Sequence, residues 1–371
     1  MSAGPLSGTA LSGTALTGPV RVIGTGMVGT SIGLALRRLD VDVQLVDANE
    51  SAVAMAERIG AGTRVTADAP EPQVVIVSVP PDHTGAVVAE QLAATTTAVV
   101  TDACSVKSKP LADTAAIAGP ADLVRYVGSH PMAGSERSGP LAGRADLFDG
   151  ATWAVTPHES SDPAAVQVVH LLAQACGAKP VHLSVADHDL AVARVSHLPH
   201  LMSALAAGTL LDAPDSHLEL SGQGLRDVTR IAAGDPVLWT QIVSANTGAL
   251  TVLLERIRGE LDRVLVALGK QSDGADITEV LADGVTGAAR VPGKHGGPHT
   301  EHATVIVNIP DRPGQLAKLF ADAAASGANV EDLRIDHSPG RPVGHVELAV
   351  KPAAAQQLAE VLTERGWVVH R

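Results

Sequence analysis

Aromatic side chains are scarce: three Trp, two Phe and one Tyr in 371 residues, although 45% of the residues are hydrophobic. The sizeable core that such a length permits must therefore be built from Ala, Val, Leu and Ile. Cysteine is nearly absent. Cys104 and Cys176 alone exclude a disulfide framework and a structural zinc site, and they fit a reducing, cytoplasmic setting. No apolar run reaches the roughly twenty residues that cross a bilayer, so no membrane partner is expected. No dense Lys/Arg cluster occurs and the formal net charge is −13, which argues against nucleic acid while leaving room for a locally basic pocket. Residues 1–18, with a repeated LSGTA, lack the charged start and apolar centre of a secretory signal and are expected to form a flexible tail.

From Pro19 to about residue 156, short apolar runs alternate with helical stretches. PVRVIG, VDVQLVD, PQVVIVSVP and TAVVTD have the aliphatic character of parallel strands buried on both faces. Residues 27–39, 49–59, 82–93 and 106–117 carry helical periodicity between and after them. The alternation predicts an α/β fold, with a Rossmann-type doubly wound sheet over residues 19–160. From about Pro163, apart from KPVHLS, strands give way to long helical periodicity, and an all-helical substrate and dimerisation domain is expected over 161–290. A Gly/Pro/His-rich linker follows at 291–302. Over 303–371 the runs ATVIVNIP, GQLAKLFADAAASG, ANVEDLRIDHS, GHVELAVKP, AAAQQLAEVLTERG and WVVHR give the ferredoxin-like βαββαβ order.

Gly24-Thr25-Gly26-Met27-Val28-Gly29 ends a strand and opens a helix. In this pattern the first Gly permits a tight turn, the second lets a pyrophosphate reach the backbone, and the third lets helix pack on strand. Asp47 closes the next strand, where a carboxylate takes ribose hydroxyls and repels a 2′-phosphate. No Arg or Lys follows in VDANES, so NAD is expected over NADP. Ser78 and Asp102 end further strands on the same edge and are placed with Asp47 among the cofactor contacts. Ser105, just beyond Asp102, suits a hydrogen bond to substrate or nicotinamide, or a cap on a helix starting at Val106. His130, in SHPMAGSE, is expected in a loop past the strand LVRYVG, at the ligand edge, where an imidazole accepts protons near neutral pH.

His197 and His200, in SHLPH, have no carboxylate or thiol at ligand spacing, so a substrate-facing His197 is expected and no metal. His295, His299 and His302 read as a solvated linker. Arg226 and Arg230 are four residues apart on one helix face, which suits bidentate contact with a dicarboxylate; ion pairing with Asp227 and Asp235 is the plainer alternative. Trp239 lines either a pocket, an interface or the core.

Taken together and in order, GTGMVGTS, TDACSVK, GSHPMAGSE, ARVSHLPH and GLRDVTRIAAGDPVLW resemble the prephenate dehydrogenases over about residues 20–261. The last seventy residues resemble an ACT domain through PDRPGQL and Asn329-Val330. The resemblance implies NAD-dependent oxidative decarboxylation of prephenate in tyrosine biosynthesis, with arogenate dehydrogenase as the alternative for the same chemistry on an amino substrate. A non-catalytic protein that binds NAD and an amino acid is a further alternative. It implies that His130 takes the ring-hydroxyl proton, that Ser105 orients it, that His197 lies near substrate and that Arg230 binds a carboxylate. It also implies a homodimer into whose site Trp239 reaches from the partner, and a tyrosine or phenylalanine effector near Asp311, Arg312, Gly314 and Asn329. Some relatives carry Ser four residues before the second His, where this chain has Ala193; no chorismate mutase segment is present.

Replacing Asp47 by Ser is expected to weaken NAD binding by about 10-fold or more, the scale of a charge-assisted hydrogen bond, and to improve relative use of NADP. Cofactor titrations of both forms check this, and a wild type that prefers NADP would contradict it.

Overall fold

The computed structural model describes residues 16, 18–134, 138–269, 275–291, 302–337 and 343–370. Nearly all of the tail at 1–18 and of the linker at 291–302, with His295 and His299, lies outside them. The chain divides into two compact units, Met1–Arg258 and Gly259–Arg371. No single helix among the described residues is long and apolar enough to cross a membrane.

The first unit is built on an eight-stranded sheet. Its strands are β1 Val20–Ile23, β2 Val43–Val46, β3 Thr63–Arg64, β4 Val74–Val77, β5 Val99–Asp102, β6 Tyr126–Pro131, β7 Thr152–Thr156 and β8 Lys179–His182. The order is β3-β2-β1-β4-β5-β6-β7-β8, parallel throughout except where β6 meets β7. Helices α1 Met27–Arg37, α2 Glu50–Arg58, α3 Pro81–Ala94, α4 Ser108–Ala115, α5 Pro120–Leu123 and α6 Pro163–Ala175 accompany the strands. The core is aliphatic, with Ile32, Leu36, Leu45, Ile76, Leu92 and Leu172 fully buried, yet three of the six aromatics anchor it: Trp153, Phe148 and Tyr126. Scarcity concentrates these rings where the most volume must be filled.

Three boundaries differ from the sequence expectation. Strand β8 pairs in parallel with β7, so KPVHLS and the helix before it extend the sheet past residue 160. Helix α4 starts at Ser108, not Val106, and its first amides, those of Lys107 and Ser108, donate to the Asp189 carboxylate at 2.8 Å each. Ser105 therefore caps no helix. His130 lies within β6 rather than in a loop, because the antiparallel β7 prolongs that strand and pairs His130 with Ala154.

The rest of this unit is helical: α7 Val185–Val192, a π-turn at Ala193–His197, α8 Leu198–Gly208, α9 Asp215–Leu218, α10 Gln223–Thr229, a 3-10 turn at Arg230–Ala233 and α11 Pro236–Ala245. Helix α12, Thr247–Gly269, runs on past residue 258, and α13 spans Ala275–Ala288. The π-turn has a local cause. Pro199 lacks an N–H, and the Leu198 amide reaches back five residues to the Ala193 carbonyl.

The second unit ends in β9 Ala303–Pro310, α14 Gln315–Ala324, β10 Val330–His337, β11 Val343–Val350, α15 Pro352–Glu364 and β12 Val368–His370. They form an antiparallel sheet of order β10-β11-β9-β12. Alternate residues of β9 and β11, from Val305 to Ile309 and from Val346 to Val350, pack in one core with Leu319, Leu358 and Leu362. Buried Asp322 accepts hydrogen bonds from Trp367 Nε1 and Arg365 at 2.8 and 2.7 Å.

Candidate active site

Because β1, β2, β4, β5 and β6 are parallel, their carboxyl ends share one edge of the sheet. On that edge the glycine turn is shaped by close approach. A Cβ at Gly24, whose φ is +94°, would lie 2.2 Å from the Ser78 carbonyl oxygen, and one at Gly29 would lie 1.9 Å from the Gly24 carbonyl oxygen. At Gly26, which opens α1, a Cβ would meet nothing, and no side chain caps the helix. A helix start with open space before it and no side-chain cap is what a pyrophosphate requires. Asp47 stands over the turn: its carboxylate accepts from the Thr25 amide at 2.6 Å, the Thr25 hydroxyl at 2.9 Å and the Asn49 amide at 2.8 Å.

Asp102 does not join it. Its side chain is fully buried and accepts hydrogen bonds from Lys107 Nζ, the Tyr126 hydroxyl at 2.8 Å and the Cys104 amide at 2.9 Å. With both oxygens engaged inside the protein, it forms a polar floor rather than a cofactor contact. Lys107 Nζ also donates to the Ser129 carbonyl at 2.6 Å, one residue before His130. Burial pushes the Cys104 thiol up and Tyr126 well above its usual range, so neither supplies an anion.

Above this floor runs a chain of imidazoles. His130 Nδ1 lies 3.0 Å from His188 Nε2, and His188 Nδ1 lies 2.9 Å from Asp189 Oδ1. Burial first, then His188, Lys107 and His197, hold the His130 imidazole well below its ordinary 6.5, against an opposing pull from Asp189. Burial also lowers His197 to about 4, with Asp189 opposing and His188 adding. Asn246, at the bend between α11 and α12, donates from Nδ2 to the Asp189 carbonyl at 2.8 Å and lies 3.2 Å from His197 Nδ1. Trp239 stacks on His200 with ring centroids 3.5 Å apart and sits edge-on to His197 at 6.3 Å.

A family model of the prephenate dehydrogenase nucleotide-binding domain matches residues 32–182, and one of the prephenate dehydrogenase dimerization domain matches 184–283. The chain is 36% identical over 357 residues to a probable prephenate dehydrogenase, NovF, of Streptomyces niveus, covering 93% of this chain and 98% of that protein. It belongs to the prephenate dehydrogenase family. It is also 30% identical over 274 residues to a cyclohexadienyl dehydrogenase of Zymomonas mobilis, covering 70% of this chain and 91% of that one. Among solved structures, prephenate dehydrogenase from A. aeolicus in complex with hydroxyphenyl propionate and NAD+ has a TM-score of 0.65 at 26% identity, covering 72% of this chain and 96% of that chain.

Relative to the residues that resemblance to prephenate dehydrogenases picked out, the structure gathers His130 with His197 around α7 but leaves others apart. Ser105 is half-buried and makes no hydrogen bond to His130 among the described residues; His130 Nδ1 is taken by His188. Arg226 and Arg230 are exposed; Arg226 donates to Gln223 at 3.3 Å, and neither shows an ion pair among the described residues. Trp239 contacts His197 and His200 of its own chain, so this contact needs no partner. Asn329 precedes β10 at the end of the sheet where Val330 pairs with Val350, whereas the turn after Pro310 lies at the other end. The sequence reading missed His188, Asp189 and Asn246. A signal existed for the first two: His188-Asp189 is an acid–imidazole pair nine residues before the motif His in the same helical run.

Heteronuclear NMR titration is expected to find His197 titrating near about 4 and His130 below 6.5. Both values are depressed from the unfolded one. The stability that these neutral imidazoles lend is thus intact above pH about 6.5 and is lost as pH falls towards 4. An imidazole of either residue titrating at or above 6.5 would contradict this.

Proposed function

We propose that the chain is a cytoplasmic, homodimeric, NAD-dependent prephenate dehydrogenase that forms 4-hydroxyphenylpyruvate in tyrosine biosynthesis. The observation that carries the reading is His130 on the sheet's ligand edge with Nδ1 engaged by His188, which leaves Nε2 for a substrate. Gly24, Thr25, Gly26, Met27, Val28, Gly29, Asp47 and Ser78 hold the NAD, and the uncapped helix start with open space at Gly26 fits its pyrophosphate. When bound, its nicotinamide supplies the hydride acceptor.

The protein's part is proton handling and positioning. His130 Nε2 accepts the ring-hydroxyl proton as a carbonyl develops. Loss of carbon dioxide then sends an electron pair back to that oxygen, which takes the proton again as a phenol. His130 thus holds a proton for part of the cycle and returns it, and its depressed affinity keeps it ready to accept at neutral pH. Asn246 donates to His197 Nδ1, so His197 offers Nε2–H to substrate as a donor. Ser105 is free to meet the hydroxyl, and Arg226 and Arg230 supply guanidinium groups for carboxylates, with Trp239 as a wall beside His197.

NADH formation measured with prephenate and with arogenate tests this directly. Prephenate is expected to be the better substrate, and His130→Asn to lower its turnover about 100-fold or more with NAD binding kept. Preference for arogenate would move the assignment to the amino substrate. Turnover near wild type in the variant would remove His130 from its role.

We further read residues 303–371 as an ACT domain that takes tyrosine, or phenylalanine, at the turn Asp311-Arg312-Pro313-Gly314. A cavity of about 330 Å³ is lined by this turn together with Gln315 and Ile335. Gly314 is left-handed, with φ +85° and open space at its Cβ position, and α14 begins beside it. A chain ending after Val291 is expected to keep dehydrogenase activity and lose inhibition by tyrosine. Equal responses to tyrosine in both forms would make the domain a structural appendage.

A further inference from the structure

We propose that His188 is the positioning residue for His130: held by Asp189, it fixes the His130 tautomer and provides the second station for the proton that His130 removes. The inference deepens the prephenate dehydrogenase reading and rests on it for the proton's origin.

The hydrogen-bond directions follow from one end of the chain. Burial resists ionisation of Asp189, but hydrogen bonds from His188, Ser108 and Lys107 outweigh it and keep the carboxyl below its ordinary range. A carboxylate only accepts, so His188 Nδ1 carries the hydrogen across the 2.9 Å contact. His188 Nε2 is then a lone pair, and the 3.0 Å contact with His130 requires hydrogen on His130 Nδ1. His130 Nε2 is left as the acceptor. His188 and His197 are each 1% exposed and Asp189 5%, so water does not compete for these positions.

The same geometry allows one further transfer. When the substrate O–H bond breaks and an Nε2–H bond forms on His130, its Nδ1–H proton can move to His188 Nε2. His130 becomes neutral again and the charge rests on His188, against the Asp189 carboxylate. The reverse shift restores the proton to the product oxygen. No proton is lost and no electron moves in this step. The titratable and charged groups facing His130 are Lys107, His188, His197 and Asp189, and only the last favours a positive charge there. A proton stationed on His188 is one imidazole closer to it.

The test compares His188→Leu with His188→Gln, whose amide oxygen still accepts from His130. Nitrogen-15 shifts of His130 give the tautomer without any turnover. Nδ1–H is expected in wild type and His188→Gln, and loss of that single tautomer in His188→Leu. In turnover, His188→Leu is expected to lose about 100-fold in kcat with KM for prephenate and NAD affinity within about threefold, and His188→Gln to recover about tenfold of that. An Nδ1–H tautomer unchanged in His188→Leu, or kcat within threefold of wild type, overturns the proposal. If His188→Leu does not fold, His188→Gln decides: kcat no better than His130→Asn in a folded protein overturns it, whereas kcat at least tenfold above that level supports it. Wild type inactive on both prephenate and arogenate would instead sink the dehydrogenase reading, with the tautomer result standing by itself.

Discussion

The site hangs on one carboxylate. Asp189 Oδ1 and Oδ2 accept from the Lys107 and Ser108 amides, and Oδ1 also meets His188 Nδ1. A side chain of α7 thereby caps α4, which follows β5 of the sheet. Hydrogen bonds to a charged group are each worth about 1.5–3 kcal/mol, and a buried carboxylate stripped of its partners is strongly destabilising. The helical segment after β8 is therefore fixed to the sheet through a charge that must be satisfied, at the point where catalytic geometry needs precision. The Asp189 carbonyl extends the same anchor to Asn246 and so to His197.

A second buried network supports the first from below. Asp102, Lys107, Tyr126 and Ser129 are all buried and joined by hydrogen bonds, and Lys107 contributes to both networks, its ammonium to the floor and its amide to Asp189. Removing one member leaves the others buried and unmatched, so the floor acts as a unit. This is why His130 tolerates a place in a strand: the backbone on either side of it is held by β7 and by Lys107.

The prominent parts of this architecture were legible in the sequence because they repeat or turn. Aliphatic runs marked β1, β2, β4 and β5, and the glycine spacing marked the phosphate turn that Gly24 and Gly29 close by contact. The two strand-end aspartates looked alike and proved different. Asp47 faces the glycine turn, while Asp102 is consumed by Lys107 and Tyr126, partners five and 24 residues away that no local pattern reveals. Long-range pairing also hid the strand position of His130, and although KPVHLS stood out as a run, its place beside β7 in the same sheet did not. His188, Asp189 and Asn246 escaped for the same reason: their roles are set by residues 58, 82 and 49 positions away.

Depressed proton affinity at His130 poses a physical problem that the surrounding chain answers. A weak base removes a proton slowly from an ordinary alcohol. In the proposed reaction the acidity of the hydroxyl rises only as hydride leaves the adjoining carbon, so a neutral, uncommitted imidazole is what the start of that reaction needs. A strongly basic one would already hold a proton at neutral pH. The difficulty would come after transfer, when a positive charge appears near Lys107, a cation that is itself buried. Asp189 is the compensating charge, but it contacts His188 rather than His130. Burial keeps His130 neutral at rest; with an imidazole in between, the carboxylate is too far to offset that strongly, yet in the proposed relay it still relieves the cation once formed. Direct contact between carboxylate and His130 would raise its affinity and forfeit the first property. No contact at all would forfeit the second.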